Sequence, residues 1–170
     1  MALEPLELTD GTRLWSRPIR ADDEERLLDF HTRLSSDTIY RRFFSAHPRL
    51  APGEVHRFTH LDYDDRFALV GVDEDGRIMG VGRYDRTPGS DSAEVAFVVE
   101  DTIQGRGLGS ALLARLAREA RRHGITRFEA QTLVDNHKML GVFRHAGFRE
   151  TTRLVDGIVM VTLDLREPNA

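Results

Sequence analysis

The 170-residue chain contains no cysteine. A disulfide, a thiolate metal site and an acyl-cysteine intermediate are all excluded by that absence. Lysine is nearly absent too: Lys138 stands alone among 24 basic side chains, and arginine carries the rest of the positive charge. The net charge of −4 argues against the basic field that non-specific nucleic-acid binding requires. No apolar run is long enough to cross a bilayer, and "MALEPLELTDG" has neither the basic nor the apolar region of a signal peptide. A cytoplasmic protein with no nucleic-acid or membrane partner is therefore expected. With 40% apolar and 31% charged residues, the composition is that of an ordinary globular chain, and its length suits one domain over residues 1–170.

"TRLWSRPIR" (12–20) reads as a strand interrupted near Pro18. A helix is expected from about Asp22, with Asp22 as N-cap, Glu25 at capping-box spacing, and Leu27, Phe30 and Leu34 in helical period. "SSDTIYRRFF" (35–44) and residues 52–60 read as two further helices; in the first, Tyr40, Phe43 and Phe44 would serve as core or as one wall of a cleft. The period then changes. "RFALVGV" (66–72) and "GRIMGVGRYD" (76–85) read as strands joined by the hairpin signal "DEDG", and residues 93–100 as a central strand, apolar on both faces. A helix over 107–123 carries Leu108, Leu112, Leu116 and Ala120 in one stripe and stops at Gly124. A strand (126–134), a helix led by Asn136 and ended by Gly147, and two strands about Asp156–Gly157 complete the chain. The order predicts an α/β domain with a mixed sheet.

The glycines of "QGRGLG" (104–109) lie where a strand meets a helix. A P-loop would need a Gly-Lys-Ser/Thr ending, and a dinucleotide fingerprint would need a third glycine where Ser110 or Leu112 stands; both fail. What remains is Q-x-x-G-x-G. Physically this is an anion cradle, in which successive N–H groups turn to one point and the helix N-terminus adds its positive dipole end. No basic side chain is required there, though Arg106 is placed to help.

Together with the element order and "DNHKMLGVFRHAGF" (135–148), this turn makes the chain resemble the GNAT acetyltransferases. The resemblance implies the GNAT fold: a central, mixed, mostly antiparallel twisted sheet flanked by helices, with splayed strands forming the acetyl-CoA cleft. It implies acetyl-CoA as co-substrate and no metal. It assigns the backbone of Phe97, Val98 and Val99 to the pantetheine arm. Gln104 leads the motif; the N–H groups of Gly105, Arg106, Gly107, Leu108, Gly109 and Ser110 take the pyrophosphate; Asn136 takes the cofactor arm. Many members carry a tyrosine, which protonates the departing thiolate, where this chain has Phe143. Phenylalanine donates no proton, so the thiolate either leaves unassisted or is protonated by water.

A lysine amine, with a pKa near about 10.4, is almost wholly protonated at neutral pH and attacks a thioester only as the free base. A general base is needed, directly or through a water. Glu94 alternates with Ala96 and Val98, apolar company expected to desolvate it, and some GNAT protein acetyltransferases place their base at the matching position. Glu100, beside the phosphate turn, is the weaker candidate. His56 and His60 are spaced i, i+4 but lack the glutamate of H-E-x-x-H and an evident third ligand, so no metal is expected. Residues 34–72 resemble the GNAT domains of bacterial protein lysine acetyltransferases, whose targets include acyl-CoA synthetases. On that resemblance His60, Asp62, Tyr63 and Asp64 would face the acceptor and attract its cation. The expected activity is direct, ternary-complex transfer of acetyl from acetyl-CoA to an exposed lysine on a protein, an acyl-CoA synthetase being the expected partner. The alternatives are transfer to a small amine or polyamine, and a non-catalytic acetyl-CoA-binding module.

Overall fold

The computed structural model describes residues 3–168. Its strands are β1 (Glu4–Glu7), β2 (Arg13–Pro18), β3 (Arg66–Val72), β4 (Ile78–Arg86), β5 (Ser92–Val99), β6 (Arg127–Leu133), β7 (Phe148–Val155) and β8 (Ile158–Pro168). They form one open sheet in the order β1-β2-β3-β4-β5-β6-β8-β7. Every neighbouring pair is antiparallel except β5 with β6. This is the mixed, mostly antiparallel sheet that the sequence predicts.

Helices cover the two faces unequally. α1 (Glu24–Thr32), α2 (Ser36–Phe43) and α3 (Pro52–Thr59) pack on one face, where Leu27, Phe30, Ile39 and Val55 meet Ala68, Val70 and Val81. α4 (Leu108–Arg122) and α5 (His137–Arg144) lie on the other, where the expected stripe of Leu108, Leu112, Leu116 and Ala120 is buried against Phe67, Tyr84, Phe97 and Phe128. β3 is buried on both faces, which explains why residues 67–72 form a continuous apolar run and not an alternating one. Ser35 caps α2 by accepting from the Thr38 N–H, and Asn136 caps α5 by accepting from the Met139 N–H at 3.3 Å.

Two details differ from expectation. β1 has only four residues, too short for a period to show in sequence, and it pairs with β2 at the sheet edge. The acid at the start of α1 that matters is Asp23, not Asp22. Asp23 is fully buried and accepts a two-pronged bond from Arg17, at 2.7 and 2.8 Å, while the Arg20 N–H donates to it at 2.7 Å. This buried pair fastens the first helix to β2.

Burial pushes the Asp23 carboxyl up, but the bonds from Arg17 and from the Arg20 N–H outweigh it and leave the pKa below the ordinary carboxylate value. A depressed pKa means that the pair's stabilisation is present above the unfolded value, about 3.9, and is lost as pH falls through the folded value. Asp23→Asn, which leaves Arg17 buried without its anion, is expected to cost roughly 3–5 kcal/mol. Denaturant unfolding at neutral pH, repeated at pH 3, measures both; the gap between parent and variant should narrow in acid.

Candidate functional site

β5 and β6 pair over only three residues: Ser92 with Arg127, Ala93 with Phe128 and Glu94 with Glu129. Beyond them β5 follows β4 as far as Val99 opposite Gly80, while β6 follows β8 as far as Leu133 opposite Ile158. The two strands therefore part from Val95 onward. A cavity of about 720 Å³ fills the gap, lined by Val95–Val99, Ala130–Thr132, the glycine turn and α5. That is the size of a site for an extended small molecule.

The glycine turn closes one end of the cavity. Gly107 lies at φ 95°, in the left-handed region that only glycine adopts freely, and serves as N-cap of α4. Among the described residues, no N–H from Gly105 to Ser110 has an acceptor. Six N–H donors without acceptors at one helix N-terminus are the donor set that an anion cradle requires. The turn is pinned from outside by the connection between β1 and β2: the Thr9 N–H and Oγ1 both donate to the Arg106 carbonyl, and Asp10 pairs with the Arg106 guanidinium at 3.0 Å. From beneath, Gly71 and Gly80 clear space for Leu108. A Cβ on either would lie 2.9 or 2.8 Å from a Leu108 methyl.

Gln104 acts as a brace: its amide donates to the Val99 carbonyl at 2.9 Å and to Thr38 Oγ1 at 3.1 Å. Lys138 Nζ donates to the Gln104 Oε1 at 3.1 Å, which brings the chain's only lysine to the cavity wall. Phe97 and Phe143 are buried edge to face, ring centroids 6.1 Å apart, while Val98 points to the opposite core. Asn136 lines the cavity, although its Oδ1 is already engaged as the α5 cap. Sequence reasoning missed Thr132. Its buried Oγ1 has no hydrogen-bond partner among the described residues and it lines the cavity, so a ligand bearing polar groups along its length would satisfy it. The six free N–H groups, this orphaned hydroxyl and the long apolar-walled gap fit acetyl-CoA.

Glu94 is corrected in one respect. It is exposed, one residue outside the cavity lining, and its cross-strand neighbours are carboxylates and not apolar side chains. Asp85 stands directly across from it on β4 and Glu129 beside it on β6, so three carboxylates cross three strands in a row. Arg66 holds Asp85 at 2.9 Å and Arg127 lies 3.4 Å from Glu129, whereas Glu94 has no such partner among the described residues. Glu100 is buried, 3.3 Å from Arg33 and bonded to Thr102, in a structural role.

The acidic "DYDD" segment is also used differently from expectation. Asp62 accepts from the N–H groups of Asp64 and Arg66, Asp64 pairs with His123, Asp65 pairs with Arg86, and the Tyr63 hydroxyl donates to the Ile19 carbonyl. None of them, nor His60, lines the cavity. Phe43 packs at the edge of the α1–α3 core while Tyr40 is exposed. Only tertiary structure gives His56 and His60 a third neighbour. Their rings stack 3.7 Å apart, and Glu24 Oε1 lies 3.6 and 3.7 Å from their Nδ1 atoms, a group outside the cleft with the donor types of a metal site.

Residues 34–148 match the acetyltransferase (GNAT) family. The chain is 34% identical over 166 residues to Acetyltransferase Pat of Mycolicibacterium smegmatis, covering 95% of this chain and 48% of that protein. It thus spans about half the length of that relative. The crystal structure of the GNAT domain of S. lividans PAT superposes with a TM-score of 0.89 at 42% identity, over 95% of this chain and 96% of that one. The yncA structure from Salmonella typhimurium, determined with its cofactor acetyl-CoA, shares the fold with a TM-score of 0.72 at 20% identity, over 92% and 96% of the two chains.

Gly107→Ala puts a side chain at positive φ and 3.3 Å from the Thr9 methyl, and is expected to cost about 1–2 kcal/mol of stability. It also tilts the donor array. Denaturant unfolding and calorimetry with coenzyme A should show both a lower midpoint and weaker binding; unchanged affinity would remove the glycine turn from the phosphate site.

Proposed function

The chain belongs to the acetyltransferase (GNAT) family, and from that premise we propose that this N-acetyltransferase moves an acetyl group from acetyl-CoA to a lysine side chain of a protein. The observation that carries the acceptor reading is Glu94. Among the described residues it is a carboxylate without a partner, one residue beyond the cavity's end, where an incoming ammonium would meet it. The resemblance of residues 34–72 to bacterial protein lysine acetyltransferases supports the same reading, with an acyl-CoA synthetase as the target.

On this reading acetyl-CoA supplies the activated acetyl group. The pyrophosphate sits on the N–H groups of Gly105 to Ser110, and the pantetheine arm takes the place of the missing strand beside Phe97, Val98 and Val99. Glu94, directly or through a water, removes the proton that the amine must lose. The free amine attacks the thioester carbonyl, the C–N bond forms and the C–S bond breaks. Phe143 is buried and donates no proton, so solvent protonates the thiolate. Transfer is direct, since no cysteine exists to carry the acetyl group.

Glu94→Gln is expected to keep acetyl-CoA affinity and to lower turnover roughly 10²–10⁴-fold. The parent's rate should rise with pH through an ionisation that the variant lacks; a variant of normal rate at neutral pH would place the base elsewhere. For the acceptor, kcat/KM is compared for a folded acyl-CoA synthetase, its excised lysine peptide and spermidine. The intact protein should lead, because remote contacts orient the reacting lysine. Spermidine ranking first would replace the protein reading with the small-amine one.

A further inference from the structure

Among the described residues, two arginines beside the cleft make no ion pair. Arg83, on β4, is only 7% exposed; its guanidinium lies over the Phe58 ring at 4.4 Å, and its one hydrogen bond is a long 3.5 Å contact to the Phe58 carbonyl. Arg42, on α2, lies over the Phe43 ring at 4.7 Å. Among the described residues neither makes an ion pair, and Arg42 makes no hydrogen bond. Burial, and then the repulsion of Arg42, pull the Arg83 pKa down to about 9. A buried cation without a counter-charge is costly, and a fold keeps one where something else offsets the cost.

The carboxylates nearby are accounted for. Asp85 is held by Arg66 at 2.9 Å, and Glu54 by His47 at 2.9 Å and the Ala51 N–H. Glu94 is exposed and opposite Asp85, two register positions along the strand pair from Arg83, whose register partner is Ala96. Arg57 lies over the Phe58 ring, adding a further cation, and His31 is bonded to the His47 carbonyl. Between Arg42, Phe58, Arg83, Ala96 and Val98 lies a recess of about 30 Å³. It shares Arg42, Ala96 and Val98 with the main cavity, so it adjoins the stretch of β5 where the strands part. That volume holds a small polar group and no side chain.

We propose that Arg42 and Arg83 form a carboxylate subsite of the cleft, which selects a substrate bearing a carboxylate a few bonds from the reacting carbonyl or amine. The inference rests on the acyl-CoA reading of the cleft and adds a substrate class to it. A guanidinium pair with apolar walls suits a carboxylate, whose two oxygens take parallel N–H donors. Two sources present that chemistry: the free end of a dicarboxylic acyl thioester such as succinyl-CoA, and an acidic side chain beside the acceptor lysine. The transfer step is the same in both. The amine nitrogen bonds the acyl carbon, the C–S bond breaks, the amine proton passes through the base, and coenzyme A leaves as the thiol.

The experiment has two arms, each read as a ratio so that a general loss of activity cancels. The first is the affinity for succinyl-CoA over acetyl-CoA by calorimetry. The second is kcat/KM with acetyl-CoA for a lysine peptide flanked by glutamate over one flanked by glutamine. In the parent at least one ratio should exceed roughly 10, the scale of a charge-assisted bond in a desolvated site. Arg83→Met should bring that ratio near one while its thermal midpoint stays level or rises, because an unpaired buried charge has been removed. A structural arginine would instead lower the midpoint and leave the ratio intact. Should Arg83→Met fail to fold, Arg42→Met on the partly exposed helix gives the same ratio test. A parent that binds acetyl-CoA yet shows no preference in either arm, or a preference that survives both variants, overturns the subsite alone. A parent that binds neither thioester overturns the cofactor reading and the subsite with it.

Discussion

The early end of the β5–β6 pairing is the constraint on which the rest of the site depends. Three register pairs hold the strands together, and then each follows its other neighbour. Paired further, β5 would have no free edge and the cavity would close. Because the pairing stops at Glu94, the backbone from Val95 to Val99 faces an opening instead of a strand. An extended ligand with amide groups can satisfy such an edge as a strand would. The same stop sets the position of Glu94, at the last paired level and just outside the gap.

The glycine turn closes one end of the opening, and the fold constrains that end from several directions. Thr9 and Asp10 hold the turn at Arg106, Gln104 braces it to Val99 and to α2, and Gly71 and Gly80 let Leu108 settle onto the sheet. The donors are therefore in place before any ligand arrives, and little ordering cost remains at binding. Charge is arranged along β4 and β5 with the same economy. Carboxylates lie in a row at the Asp85–Glu94–Glu129 level, and two register positions along, at the Arg83–Ala96 level, the charge is positive and buried. A cationic acceptor and an anionic substituent would thus find adjoining, oppositely charged places.

Local patterns made most of the fold legible. The i, i+4 stripe from Leu108 to Ala120, the apolar strands 66–72 and 93–100, and the caps at Ser35 and Asn136 are properties of short segments, and segments of that length carry their own signal. β1 escaped because four residues at a sheet edge cannot display a period. Asp22 reads as the cap from its spacing alone, whereas the burial of Asp23 depends on the position of Arg17, which no local spacing shows.

The sequence by itself determined the composition limits, the order of elements and the donor-rich turn at 104–110, since positive-φ glycines before an amphipathic helix need no tertiary partner to be recognised. Tertiary structure alone decided the exposure of Glu94, the pairing of Asp64 with His123 and, among the described residues, the orphaned hydroxyl of Thr132 and the guanidinium of Arg83 left without an ion pair. Each of these depends on what a distant segment places, or fails to place, against the side chain. Desolvation and pairing are properties of that surrounding shell, and no local spacing encodes them.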